Sequence, residues 1–177
     1  MSGEDAVTTR ELADADRAWA VALFTLHFSD AVIGSRGAWF DTRLLPGFVA
    51  AYQGKLAGVL VHTPLCRGTD CEIVALVSEI QRVGAATALL SRCLAAARMA
   101  GSGRVFLTTS NDNIDALRFY QRRGWRVVAV HRDSISLARA EKPSIPLVGH
   151  HGILIADELE LEYFGEIVGS AITPTHA

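Results

Sequence analysis

Apolar residues are grouped along the chain in short runs that alternate with helical repeats of apolar positions. Short alternating or continuous runs predict strands, and apolar residues spaced three or four apart predict amphipathic helices. The predicted strands are residues 7–10, 48–52, 56–61, 71–77, 105–109, 127–130 and 157–163. The predicted helices are residues 12–28, 87–100, 113–123 and 132–141. This order predicts an α/β fold, in which a mixed sheet carries helices on both faces.

Two segments have a pattern that suggests more than a plain strand or helix. Residues 29–46 show no clear period and contain the aromatic pair Trp39 and Phe40. We expect an irregular or short-helical segment there that lines a site. Residues 157–163 alternate strictly, with acidic and apolar positions on opposite faces of one strand. The acidic positions are Glu158, Glu160 and Glu162. We expect a solvated face, and the alternative is a surface that attracts a cationic amine.

The size and charge of the chain limit the classes of function. With 177 residues, half of them apolar, residues 1–165 are expected to form one domain, and residues 166–177 a flexible C-terminal tail. The net charge of −2 disfavours a nucleic acid as partner. The start of the chain has no apolar run, and residues 18–28 are too short to cross a bilayer. We therefore expect a cytoplasmic protein that does not associate with membranes.

The cysteine pattern gives no sign of a metal site or a disulfide. The three cysteines, Cys66, Cys71 and Cys93, lack the spacing of metal ligands and are odd in number. We expect reduced and mostly buried thiols, and no metal cofactor.

Two local motifs carry the candidate chemistry. Residues 81–86 read Q-R-V-G-A-A, directly after an apolar strand and at the start of a helix. Small residues at a helix N-terminus let backbone N–H groups approach phosphate oxygens. Residues 113–125 read N-I-D-A-L-R-F-Y-Q-R-R-G-W and predict a helix with Asn113 at its start and Gly124 at its end. Together the motifs predict a site for a phosphate-bearing cofactor, with Tyr120 near its reactive end.

The element order and these motifs resemble the GNAT superfamily of acetyl-CoA-dependent N-acetyltransferases. Residues 81–86 match the family's pyrophosphate turn, Q/R-x-x-G-x-G/A. The second family motif is N-x-x-A-x-x-F-Y-x-x-x-G-aromatic, and it is matched by Asn113, Ala116, Phe119, Tyr120, Gly124 and Trp125. The resemblance implies a mostly antiparallel central sheet of about seven strands. It also implies acetyl-CoA as co-substrate, an amine acceptor and, as in many relatives, a homodimer.

The resemblance assigns the contacts to acetyl-CoA. Backbone amides of the turn would bind the diphosphate, and the turn residues are Gln81, Arg82, Val83, Gly84, Ala85, Ala86 and Thr87. Ala75 and Leu76 would offer strand backbone groups to the pantetheine arm. Asn113 would bind the same arm, although it is also a candidate helix cap, and Ala116 would keep its helix close. Val83 departs from the family, where Arg or Lys is common, and Arg82 is expected to supply that charge.

Tyr120 and Glu72 are the candidate catalytic residues. A phenol at Tyr120 can protonate the departing thiolate as a general acid. Glu72 lies in an otherwise apolar strand, where a carboxylate needs a partner or a function. Two roles stay equally open for Glu72, a general base that acts directly or through water and a salt-bridge partner of an arginine. Some relatives place the base on the next strand, where this chain has Thr108. The six histidines are expected to be structural or exposed.

The main hypothesis is therefore an N-acetyltransferase in which the amine attacks the thioester directly in a ternary complex. The first alternative is a CoA-binding or sensor module without catalysis. The second is an acyltransferase that uses a longer acyl donor or a hydroxyl acceptor. Acetylation of tRNA is disfavoured by the charge. The sequence does not identify the acceptor, which the segments 29–46 and 142–151 and the hairpin 48–61 are expected to shape.

Overall fold

The computed structural model describes residues 6–168 and 171–173. The strands are β1 Thr8–Glu11, β2 Val32–Ser35, β3 Ala38–Asp41, β4 Gly47–Tyr52, β5 Lys55–His62, β6 Cys71–Ser78, β7 Val105–Ser110, β8 Trp125–His131, β9 Glu158–Tyr163, β10 Glu166–Val168 and β11 Ala171–Thr173. The α-helices are α1 Arg17–Phe28, α2 Ala85–Ala100, α3 Ile114–Gln121 and α4 Ser134–Glu141. Short 3-10 turns occupy Asp14–Asp16 and His150–Gly152.

The central sheet has seven strands in the order β1-β4-β5-β6-β7-β9-β8. All neighbours are antiparallel except β6 and β7, which are parallel. One face of the sheet packs against α2, whose Leu89, Leu90 and Leu94 are buried. The other face packs against α1 through Leu23 and Phe24. The predicted mixed, mostly antiparallel sheet with helices on both faces is confirmed.

The two parallel strands separate in the middle of the sheet. Their pairing runs from Cys71↔Val105 to Ile73↔Leu107 and stops there. Strand β6 continues alongside β5, whereas β7 continues alongside β9. The pairing of β5 with β6 also shifts here, so Val74 is an extra residue, and both Val74 and Ala75 pack on the α1 side. A wedge therefore opens between β6 and β7, and among the described residues no strand pairs with the β6 backbone beyond Ile73 on that side.

Residues 29–46 form a β-hairpin rather than the predicted irregular or short-helical segment. Strands β2 and β3 pair from Val32↔Asp41 to Ser35↔Ala38. The two residues between them, Arg36 and Gly37, have φ values of 49° and 78°. Positive φ at both positions is the tight hairpin turn usually encoded by Asn-Gly. The prediction was wrong because Arg at the first turn position hides this signal.

The C-terminal segment contains a further, small hairpin. Strands β10 and β11 pair in antiparallel fashion from Glu166↔Thr173 to Val168↔Ala171. The remainder of the segment predicted as a flexible tail, residues 169–170 and 174–177, lies outside the described residues. Across the described part of the chain, no helix combines the length and the apolar character that a bilayer crossing requires.

Candidate active site

The turn before α2 has the backbone shape of an anion-binding loop. Arg82 and Gly84 both have positive φ, 65° and 90°, and Gly84 is the residue before the helix. A Cβ built on Gly84 meets no atom within 4 Å, so the space in front of the turn is open. The first N–H groups of an α-helix have no partner within the helix and carry its positive dipole end. Gln81 fixes the turn by donating its side-chain N–H to the Ser78 carbonyl at 2.5 Å.

The sequence-predicted residues of this turn have different environments. Arg82 and Gly84 are exposed, whereas Ala85 is buried. Val83 packs against the core on the α2 side. It therefore brings no positive charge to the turn, where many relatives carry Arg or Lys. The candidate phosphate donors of the turn are therefore its backbone N–H groups and the exposed Arg82 side chain.

A cavity of about 600 Å³ lies beside this turn. Its lining residues are Thr87, Asp115, Arg118, Phe119, Arg122 and Arg123. Arg123 lies over the Phe119 ring, 3.8 Å from its centroid, and its Nε donates to Thr87 Oγ1 at 3.1 Å. Burial and the neighbouring Arg122 lower the pKa of Arg123. Sequence reasoning missed this arginine cluster, although a spacing of four puts Arg118 and Arg122 on one face of the predicted helix 113–123.

The three polar residues before α3 have different hydrogen-bond partners. Asn113 is the helix cap, because its Oδ1 accepts the Ala116 N–H at 3.2 Å. Asn111 instead binds the backbone of residues 154–157, and Asp112 accepts the His150 N–H at 2.8 Å. The capping role leaves the Asn113 amide N–H groups available. Asn113 also lines the larger cavity described below.

Tyr120 lies on the α2 side of the sheet, near the end of α3. Its ring packs edge to face against Phe119 and Trp125, with centroids 5.2 and 5.7 Å away. Burial raises the pKa of Tyr120 above its usual value. Because a raised pKa keeps the phenol protonated at neutral pH, this environment suits a proton donor.

Glu72 is buried, and both of its carboxylate oxygens are bound by the β2–β3 hairpin. Ser35 Oγ donates to Oε1, and Arg36 Nη2 donates to Oε2 at 3.0 Å. Ser35 Oγ also lies 2.9 Å from Thr108 Oγ1 on β7. The surroundings of Glu72 match the salt-bridge alternative, and Glu72 does not line either cavity described here.

The acidic row on β9 is covered rather than solvated, and the prediction of a wet strand face was wrong. Glu158 and Glu160 are 7% and 4% exposed. Glu158 accepts the Arg36 backbone N–H at 2.9 Å, and Glu160 binds Arg104 Nη1 at 2.6 Å. The alternation of residues shows which face of the strand is acidic but not which groups cover that face, and here Arg36 in the β2–β3 turn and Arg104 do so.

A larger cavity of about 770 Å³ lies between the β2–β3 hairpin, α4 and residues 142–150. Two hydrogen bonds join the β2–β3 hairpin to the end of α4 beside this cavity, Trp39 Nε1 to Glu141 Oε2 at 2.8 Å and Lys142 Nζ to the Val32 carbonyl at 3.0 Å. Val74 and Thr108 line its floor, at the wedge between β6 and β7. The wedge therefore opens into this cavity, whereas α2 and Tyr120 belong to the core cluster on one face of the sheet.

Segments 29–46 and 142–151 shape this cavity, as the sequence suggested. Arg36 and Trp39 line it, whereas Phe40 does not. The β4–β5 hairpin contributes no lining residue. Helix α4 contributes several, and sequence reasoning did not foresee that role. Cys71 and Cys93 are buried in the core, and Cys66 is exposed outside both cavities, so none is placed as a nucleophile.

Comparison with known proteins supports the same family. Residues 10–125 match the model of the Acetyltransferase (GNAT) family. The chain is 38% identical over 137 residues to the uncharacterized protein YdhI of Bacillus subtilis, covering 77% of this chain and 84% of that relative. The uncharacterized protein YxbD of the same organism is 44% identical over 91 residues, covering 51% of this chain and 57% of YxbD.

Solved structures share the fold at lower identity. An IAA acetyltransferase from Bacillus cereus superposes with a TM-score of 0.67 at 22% identity, covering 89% of this chain and 99% of that one. A Bacillus subtilis acetyltransferase in complex with CoA gives 0.66 at 22% identity, with 89% and 97% covered. The family match and the sequence relatives, together with the wedge and the helix turn, show that this chain belongs to the GNAT acetyltransferase family.

Proposed function

We propose that the chain transfers an acetyl group from acetyl-CoA to a small-molecule amine by direct attack in a ternary complex. One observation carries the proposal: the β6–β7 wedge opens into the 770 Å³ cavity through Val74 and Thr108, and β6 leads on along the chain to the α2 turn. Donor and acceptor would meet at the wedge from opposite faces. The cavity volume falls within the range of small-molecule sites, about 300–1,000 Å³.

The binding site for acetyl-CoA would use the α2 turn and the wedge. The amides of residues 82–87 would bind the diphosphate, aided by the helix dipole. The free side of β6 at Ala75 and Leu76 would hydrogen-bond the pantetheine arm, together with the Asn113 amide. An N–H near Leu76 would stabilise negative charge that develops on the thioester oxygen.

Tyr120 would protonate the sulfur of the leaving thiolate. Its position on α3 puts it on the donor side, and its surroundings keep the phenol protonated. Direct transfer is supported by the absence of a cysteine among the residues that line the two cavities. No covalent acyl-enzyme is needed.

The function is tested by an acceptor screen that measures release of free thiol from acetyl-CoA. The panel contains tyramine, benzylamine, spermidine, glycinamide and an alanine-terminated peptide, with propionyl- and succinyl-CoA as alternative donors. We expect turnover with acetyl-CoA and a compact amine. Binding of acetyl-CoA without turnover of any acceptor would instead support a CoA-binding module. Preference for another acyl-CoA would support a different acyltransferase.

The arginine cluster is expected to bind a phosphate of CoA. Replacing both Arg118 and Arg122 with Gln should raise the Kd for acetyl-CoA about 3- to 10-fold, because two charge-assisted contacts would be weakened at an exposed site. Isothermal titration calorimetry with CoA and 3′-dephospho-CoA measures this effect. Arg98→Gln, on the same side of the sheet but outside the cavity, is the control. If the double variant weakens the binding of CoA more than that of 3′-dephospho-CoA, the arginines contact the 3′-phosphate. If it weakens the binding of both ligands equally, they contact the diphosphate.

Glu72→Gln separates the two roles of that carboxylate. We expect a lower Tm and a higher KM for the amine, with kcat at saturation within about threefold of wild type, because the charge that holds the hairpin is lost. Thermal denaturation and steady-state kinetics measure these effects. Ser35→Ala, which removes the second hairpin contact, should change KM in the same direction. A fall in kcat of about 100-fold at unchanged KM would make Glu72 the general base.

A further inference from the structure

We propose that His131, held by Glu160, is the general base that takes the proton from the acceptor ammonium. The proposal rests on the proposed transfer to an amine. A protonated amine has no lone pair for attack, so its proton must leave first. Glu72 has no free carboxylate oxygen for this task, because Ser35 and Arg36 bind both of them, and the hydroxyl of Thr108 contacts Ser35.

His131 is the last residue of β8 and lines the 770 Å³ cavity. Its side chain is 32% exposed, so it is open to a molecule in that cavity. Its Nε2 lies 2.8 Å from Glu160 Oε2. A carboxylate that is hydrogen-bonded to an imidazole fixes the orientation of the ring, and it favours the tautomer whose N–H donates to the carboxylate. With Nε2–H donating to Glu160, the lone pair lies on Nδ1.

Glu160 is ionised and therefore suited to this role. Burial alone would raise the pKa of Glu160, but the hydrogen bonds from His131 and Arg104 outweigh burial and lower it. Arg104 Nη1 binds the other oxygen, Oε1, at 2.6 Å. Glu160 thus accepts from an imidazole on one oxygen and from a guanidinium on the other.

The groups around His131 come from every neighbouring element. On β9, Glu158 is its cross-strand partner and Glu160 its hydrogen-bond partner. From the β2–β3 turn, Arg36 Nη1 lies 3.8 Å from Glu160 Oε2. From α4, Ser134 Oγ donates to the His131 carbonyl at 3.0 Å. The remaining charges are Arg104, before β7, and the adjacent Arg132. Two carboxylates and three guanidinium groups thus lie on these elements.

The proton balance of the step closes without another reactant. The ammonium gives one proton to His131 Nδ1, and the freed nitrogen forms a bond to the acetyl carbonyl carbon as the carbon–sulfur bond breaks. The sulfur takes the Tyr120 proton. The second nitrogen proton and the His131 proton pass to solvent, and the phenoxide recovers one from it. The net products are the amide, free CoA thiol and one proton.

The test compares His131→Gln with His150→Gln, a histidine that lines the same cavity and is exposed. The assay uses acetyl-CoA and whichever amine of the stated panel the wild type acetylates, between about pH 5.5 and 9. His131→Gln should lower kcat/KM about 100-fold and remove its fall toward acid, because the group that accepts the proton is gone. His150→Gln changes the lining of the cavity but leaves the base in place, so it should keep the fall of kcat/KM toward acid, and the Kd for CoA should be unchanged in both variants.

Glu160→Gln tests the positioning role. It should lower kcat/KM about 10-fold while the fall toward acid persists, because His131 remains but is less well held. Proton–nitrogen correlation spectra of the imidazole should show Nε2–H in the wild type. An Nδ1–H tautomer, or a His131→Gln variant with the wild-type pH profile, overturns the proposal. The proposal is also overturned if Glu158→Gln, rather than His131→Gln, loses the fall of kcat/KM toward acid. A wild type that acetylates none of the panel overturns both this proposal and the proposed function.

Discussion

Tyr120→Phe is expected to lower kcat about 1,000-fold while the Kd for CoA stays within about twofold of wild type. The variant removes one hydroxyl and keeps the ring, which packs against Phe119 and Trp125. The core should therefore survive, and only the proton donor is lost. The thiolate must then leave without protonation or take a proton from water, and both routes are slower.

The same tyrosine makes a prediction about pH. Burial raises the pKa of Tyr120, so the phenol keeps its proton as the pH rises. Its deprotonation should remove activity only above the ordinary tyrosine value of about 10. Steady-state kinetics, calorimetry with CoA and thermal denaturation of wild type and Tyr120→Phe measure these effects. Trp125→Phe is a control that disturbs the same core without removing a phenol. Full activity in Tyr120→Phe would remove Tyr120 from the mechanism.

Gly84→Glu is expected to abolish measurable binding of acetyl-CoA, with a Kd raised by about 1,000-fold or more. The space in front of Gly84 is open, so the new side chain would occupy the volume assigned to the diphosphate. Its carboxylate would also repel the phosphates at the helix N-terminus, where the dipole otherwise attracts anions.

Backbone strain must be separated from this effect. Gly84 has φ 90°, and any side chain there strains the turn by about 1–3 kcal/mol. Gly84→Ala shares that strain but adds neither bulk nor charge, so it should bind acetyl-CoA more weakly than wild type but far better than Gly84→Glu. Calorimetry gives the Kd values, and thermal denaturation shows whether both variants fold. Equal binding by Gly84→Glu and wild type would place the diphosphate elsewhere.

The parts of the fold that local sequence determines could be predicted. The central strand at Cys71–Ser78 is an apolar run, and α2 and α3 follow motifs whose turn and cap residues are adjacent in sequence. The wedge between β6 and β7 could not be predicted from residue pattern alone, because it depends on where β7 leaves β6 to pair with β9.

The acceptor side of the site was predicted less well because its contacts join distant residues. Arg36 reaches Glu72 and Glu158, which are far apart in the chain. An alternating strand such as β9 identifies its acidic face, but burial of that face depends on the hairpin turn. For the same reason, sequence alone left His131 among the structural histidines, whereas its distance to Glu160 makes it a candidate base.

The central claim is that acetyl-CoA lies in the wedge, with its diphosphate against the first turn of α2. A crystal structure of the chain with CoA tests it most directly. We expect diphosphate oxygens about 3 Å from backbone nitrogens of residues 82–87, and the sulfur beside the Tyr120 hydroxyl at the mouth of the 770 Å³ cavity. CoA bound away from the β6–β7 wedge, or with its sulfur remote from Tyr120, would contradict the account.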